Sequence, residues 1–150
     1  MVLSAPRSRH GAERLVKAFF DAIRRESLRD LEALLGDGAS ISSGPGSSPE
    51  PIAKVWSARF KRLDYGAGVV QAPYREDELG VFTPEELQSL RTERHYELVP
   101  GAGELLAVVT LRDRLEPAGP RHFGRRIEFI LGSAPAGLRI LRMFEDFRLP

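Results

Sequence analysis

The chain has 150 residues, 42% of them hydrophobic and 29% charged, with a formal net charge of +1 and no cysteine. That length supports one domain with one core, and the near-zero charge excludes a global field that would gather nucleic acid or an anionic membrane. Without cysteine there are no disulfides, thiolate metal sites or cysteine nucleophiles.

Residues 1–11 read as a flexible start and 12–150 as a single domain. The start lacks the apolar core of a secretory signal, and no apolar run approaches the roughly 20 residues needed to span a bilayer. The expectation is a cytoplasmic protein, although a processed export product given a new Met1 would read the same. The basic residues are nearly all arginine, a mark of GC-rich, bacterial-type coding.

From Ala12 to Arg25, Leu15, Val16, Phe19, Phe20 and Ile23 recur at three- and four-residue steps, which predicts a helix with one buried face. Ser27, with Asp30 three residues on, caps a second helix carrying Leu28, Leu31, Leu34 and Leu35 and ending at Gly36 or Gly38. "ASIS" then reads as a short strand. Ser48-Pro49 marks the start of a third helix that buries Ile52, Val55, Trp56, Phe60 and Leu63. "YGAGVVQAPY" is a weak strand. Thr83-Pro84-Glu85-Glu86 is a capping box with proline in the first turn. From His95 onward the text turns to strand: "HYELV", "ELLAVVTLRDRL", "RRIEFILG" and "GLRILRMFEDF", with "SAPAG" as a hairpin loop. Helices followed by a mostly antiparallel sheet make an α+β fold, the helices packed on one face of the sheet.

The run "LRDLEALLGDGASI" and the closing hairpin "RRIEFILGSAPAGLRILRMFEDF" resemble the nuclear-transport-factor-2-like superfamily, the cone-shaped, cystatin-like fold of ketosteroid isomerases, scytalone dehydratase and SnoaL-like cyclases. The resemblance covers about residues 12–148. It implies N-terminal helices on the concave face of a curved sheet, a pocket between them, and a homodimer through the sheet's outer face. The segment "ELGVFTPEELQSLRTE" departs from the minimal pattern and reads as a lengthened connection.

Ketosteroid isomerase uses an aspartate base with a tyrosine and a protonated aspartic acid as its oxyanion hole. On an ungapped comparison the tyrosine falls on Phe19, the base on Ser43 and the acid on Ile127, one residue from Glu128. The standard machinery is therefore absent. His95, opening a strand, and Glu128 remain as candidate catalytic residues; His10 falls in the start and His122 in a turn. Three scattered histidines give no metal-ligand spacing, and the reading calls for no metal and no cofactor.

A five-residue hairpin loop would set Glu128 opposite Arg142 and Arg125 opposite Glu145. One face would then carry Arg126, Glu128, Ile130, Ile140, Arg142 and Phe144, and the core face Ile127, Phe129, Leu131, Leu141 and Met143. The mixed face suits a dimer interface. Arg121, His122, Arg125 and Arg126 form a basic cluster, read as a solvated turn. The leading expectation is a small-molecule-binding or accessory domain, with an apolar or aromatic ligand lined by Phe19, Trp56, Phe60, Tyr65, Glu128 and Arg142, and with Tyr74 near the mouth. The alternatives are a SnoaL-like isomerase, cyclase or dehydratase using His95 or Glu128, and an interaction module working through the sheet face.

Overall fold

The computed structural model describes residues 9–68, 78–90, 96–111 and 122–147. Helix α1 spans Arg9–Arg24, three residues earlier than its apolar stripe suggested. Arg9 adds a reason for the early start, since its guanidinium donates to the Leu79 carbonyl at 2.8 Å. His10 thus lies in the first turn of α1, exposed. Helix α2, Leu28–Glu32, is capped as expected by Ser27, whose hydroxyl accepts from the Asp30 N–H at 3.1 Å. It is shorter than its leucines implied: strand β1 takes over at Leu35 and runs to Ser42.

Strand β2 is Glu50–Pro51, and helix α3 is Ile52–Arg62. Pro51, not Ser48, stands at the head of α3, without a side-chain cap. Residues 50 and 51 pair instead with Ile41 and Ser40. A single helical turn, α4, covers Tyr65–Gly68 where a strand was expected to begin; Tyr74 and the rest of that expected strand lie outside the described residues. Strand β3, Leu79–Phe82, precedes helix α5, Pro84–Leu90. The Thr83 box closes in both directions: the Glu86 N–H donates to Thr83 Oγ1 at 3.1 Å, and the Thr83 N–H to Glu86 Oε1 at 2.9 Å. Strands β4, Leu105–Thr110, β5, Arg126–Ala134, and β6, Gly137–Glu145, complete the elements of the described residues.

Among the described residues six strands lie in the order β2-β1-β6-β5-β4-β3. All neighbours are antiparallel except β1 with β6. Helices α1 to α4 pack against one face, as an α+β cone requires, whereas α5 sets Leu87 against the other. The segment read as a lengthened connection contributes a sheet strand of its own, with Leu79 opposite Val109 and Phe82 opposite Leu106. The expected strand at "HYELV" does not form: residues 96–100 are irregular, and His95 lies outside the described residues.

The closing hairpin corrects the expected register. Its loop is only Pro135 and Ala136, with Gly137 at φ +118° and Ala134 opposite Gly137. Leu131 faces Ile140 but Ile130 faces Arg142, so Leu141 is an extra residue, a bulge. Glu128 therefore opposes Phe144 rather than Arg142, and Glu145 opposes Ile127 rather than Arg125. The bulge also exchanges two residues between faces. Ile140 joins the main core, and Leu141 packs on the outer cluster. Two strand glycines accommodate the bulged leucine. A Cβ at Gly132 would stand 2.5 Å from Leu141 Cδ1, and one at Gly36 2.6 Å from Cδ2.

The main core lies between the helices and the inner sheet face. It joins Leu15, Val16, Phe19, Ile23, Leu31 and Trp56 to Ile127, Phe129, Ile140 and Met143. A smaller cluster of Leu106, Val108 and Ile130 lies on the outer face, under Phe82, Leu87, Tyr96, Leu98 and Leu141 of the same chain. The sheet-face dimer was expected from Ile130, Ile140 and Phe144. All three are buried within one chain, at 0%, 0% and 6% exposure, so they are not available for that contact.

Candidate functional site

The interior is built on aromatic rings. Phe19 of α1 meets Trp56 of α3 at 5.6 Å between centroids and Phe129 of β5 at 5.2 Å, edge to face in both cases. Trp56 in turn meets Tyr65 at 5.4 Å, and Phe123 stands 5.4 Å from Tyr65. Edge-on geometry is the one the ring quadrupole favours. Phe60, at the half-buried margin of α3, closes on Tyr65 at 5.8 Å.

At one end of these rings sits a buried charge pair that the sequence reading passed over. Arg59 is 2% exposed and Glu145 0%. Arg59 Nη1 donates to Glu145 Oε1 at 2.6 Å. The guanidinium lies between two rings, 4.4 Å from the Trp56 centroid and 4.3 Å from that of Phe147. Glu145 Oε2 accepts the Gly124 N–H at 2.7 Å. A Cβ at position 124 would come within 2.6 Å of the Asp146 carbonyl oxygen, so only glycine brings its N–H this close. Each partner was visible in principle. Arg59 follows Ile52 and Trp56 on the same helical stripe, and Glu145 follows Met143 by two on the core face of β6.

Tyr65 supplies the hydroxyl of this corner. It donates to the His122 carbonyl at 2.7 Å, and its own N–H donates to Glu26 Oε2 at 2.8 Å. Burial pushes the phenol well above its ordinary value, against the lowering influence of the nearby Arg59 charge. His122 is held in turn by a 3.0 Å contact between Nε2 and the Asp64 carbonyl.

The structure brings Phe19, Trp56, Phe60 and Tyr65 together. Glu128 and Arg142 stand elsewhere. Glu128 lies on the outer sheet face, fully buried, where its carboxylate accepts from the Leu98 N–H at 2.9 Å and the Glu97 N–H at 3.2 Å. Arg142 is exposed on the same face and donates to the Val99 carbonyl at 3.1 Å. Phe19 and Ile127, which replace two polar groups of the isomerase pattern, both lie in the interior cluster. Ser43 sits just past the end of β1. Among the described residues no three His, Asp or Glu side chains are grouped to hold a metal ion, and no helix is long and apolar enough to cross a membrane.

No protein-family model and no curated protein matches the sequence. Solved structures do match the fold. A protein from Novosphingobium aromaticivorans, described as NTF2-like with a cystatin-like fold, superposes with a TM-score of 0.54 at 12% identity, over 91% of this chain and 79% of the other. The chain has the nuclear-transport-factor-2-like fold. Similar too are a candidate aromatic ring hydroxylase from the same organism, with a TM-score of 0.51 at 13% identity over 95% and 90% of the two chains, and a Pectobacterium atrosepticum protein of unknown function, with 0.51 at 13% over 89% and 84%. In the nuclear-transport-factor-2-like frame, Trp56, Arg59, Tyr65 and Glu145 lie between the helices and the sheet, and Glu128 lies behind it.

Proposed function

We propose that this chain is a small-molecule-binding domain whose site is the aromatic interior around Trp56. One observation carries the reading: Trp56 is 0% exposed, and its indole Nε1 has no hydrogen-bond partner among the described residues. Buried polar groups are partnered in roughly 90% of cases or more, and an unsatisfied one costs about 1–3 kcal/mol. An acceptor atom on a bound molecule would recover that cost.

The surroundings define the molecule's character. The neighbouring rings of Phe19, Phe60, Tyr65 and Phe123 favour an aromatic or alicyclic body. The cation nearest the indole, Arg59, is already neutralised by Glu145, so the interior does not call for an anion. The ligand that fits is a neutral ring compound with one carbonyl or hydroxyl acceptor. Binding is favoured over turnover because the two carboxylates buried among the described residues are engaged at both oxygens: Glu145 with Arg59 and Gly124, Glu128 with Leu98, Glu97 and Arg126. Neither is free to serve as a base.

Trp56 is the only tryptophan, so its emission reads the site directly. Titration with 1-indanone and cyclohexanone, with benzoate as the anionic control, should give a saturable emission change for the neutral ketones. At a hundredfold excess over Kd, the melting temperature should rise with about 2.7 kcal/mol of stabilisation. Trp56→Phe should fold and lose the melting shift. Unchanged emission and melting with both ketones would defeat the proposal.

A further inference from the structure

The outer strip of Leu106, Val108 and Ile130 is covered in part by Tyr96 and Leu98, from a segment that belongs to no strand. No ladder holds this segment down. What holds it is a carboxylate. Glu128 stands third in β5 at 0% exposure, among apolar neighbours, where an aliphatic residue would bury the strip with no charge to desolvate. Its two oxygens divide the work. Oε1 accepts from the Leu98 N–H at 2.9 Å, and Oε2 from the Glu97 N–H at 3.2 Å. Arg126 Nη2 approaches Oε2 at 2.9 Å, and its guanidinium lies 5.5 Å from the Tyr96 ring centroid. One residue further along, Arg142 holds the Val99 carbonyl at 3.1 Å while standing 3.6 Å from Glu104. Every polar contact between this segment and the sheet thus runs through the side chains of β5 and β6 among the described residues. The Val99 side chain meanwhile projects outward at 72% exposure.

We propose that Glu128 is a positioning residue that latches residues 96–99 as a detachable strap over the outer sheet face. The strap's fastenings are side-chain bonds, and the main core lies on the opposite face of the sheet. Opening therefore leaves the sheet intact and uncovers Leu106, Val108 and Ile130 as an apolar strip. The latch is independent of the interior site, since Trp56 lies on the other side of β5.

Amide hydrogen exchange tests the latch in the full chain. Glu128→Gln keeps the shape but removes the charge, leaving one acceptor oxygen and putting an NH2 donor against the second backbone N–H. The Glu97 and Leu98 amides should then exchange at least about tenfold faster. The amides of Val109 and Phe129, which pair within the sheet, should keep their wild-type rates. Binding of anilinonaphthalene sulfonate should rise with the uncovered strip. Unchanged exchange at residues 97 and 98, or an equal rise across β4 and β5, would overturn the proposal; the second result would make Glu128 an ordinary core residue. Should Glu128→Gln fail to fold, Glu128→Asp draws the carboxylate back by one methylene from the Glu97 and Leu98 N–H groups and is read the same way. A smaller rise confined to residues 96–99 supports the latch, and no local rise rejects it.

Discussion

Arg59 Nη1 stands 2.6 Å from Glu145 Oε1, and 86 residues separate the two in the chain. The pair ties α3 to the end of β6 inside the aromatic interior. Two buried charges of this kind are costly to desolvate, and their mutual attraction offsets that cost only while both are present. Arg59→Met or Glu145→Gln alone should therefore lose about 3–5 kcal/mol. Arg59→Met combined with Glu145→Leu should recover most of the loss. Urea unfolding of the four proteins measures this. A single variant that loses less than about 1 kcal/mol would show that water reaches the pair.

Ile140 faces Leu131 in the main core, fully buried. Ile140→Asp should unfold the chain rather than dissociate an assembly, because an unpaired carboxylate replaces an apolar side chain there. Arg142, two residues on and exposed, should tolerate alanine within about 0.5 kcal/mol. Circular dichroism with sedimentation separates unfolding from dissociation, and a folded Ile140→Asp protein of lower mass would restore the interface reading.

Burial raises the Tyr65 phenol above its ordinary value of 10.0. Above about pH 10 the unfolded chain releases this proton while the folded chain retains it. The unfolded state then binds fewer protons, so stability falls as pH rises, by up to about 1.4 kcal/mol per pH unit from this group. Below pH 10 both states hold the proton and the group adds no slope. Comparing wild type with Tyr65→Phe between pH 9 and 11 isolates the effect. Identical slopes would mean that the phenol reaches solvent.

Thr83 and Glu86 satisfy each other's N–H groups at the start of α5. Thr83→Ala should cost about 1 kcal/mol. The loss should appear as faster amide exchange at Glu86 and Leu87 before it appears in global melting, since α5 is only seven residues long.

The parts of this fold that could be read from the sequence are those with local causes. The α1 stripe, the Ser27 cap and the Thr83 box each follow from residues within one or two turns. The failures have distant causes. Gly36 and Gly38 look like a helix stop, but residues 35–42 are drawn into a strand by pairing with β6. The Leu141 bulge depends on room left by glycines on two neighbouring strands, which alternation along β6 does not reveal. In the site, the rings were legible as apolar stripe positions, whereas the pairing of Arg59 with Glu145 was not. Each is a lone charge on an otherwise apolar stripe, and the reason for tolerating one is the other, in a different element.

The parallel pairing of β1 with β6 also sets an order of events during synthesis. Leu35 finds Ile140, and Ile41 finds Met143, about a hundred residues later in the chain. At 5–20 residues per second, β1 waits on the order of 5–20 s after leaving the ribosome before its central-sheet neighbour exists. In that interval β1 has only the two residues of β2 beside it. The nascent chain thus carries an open strand edge until β6 emerges, and β6 is the strand that seals it.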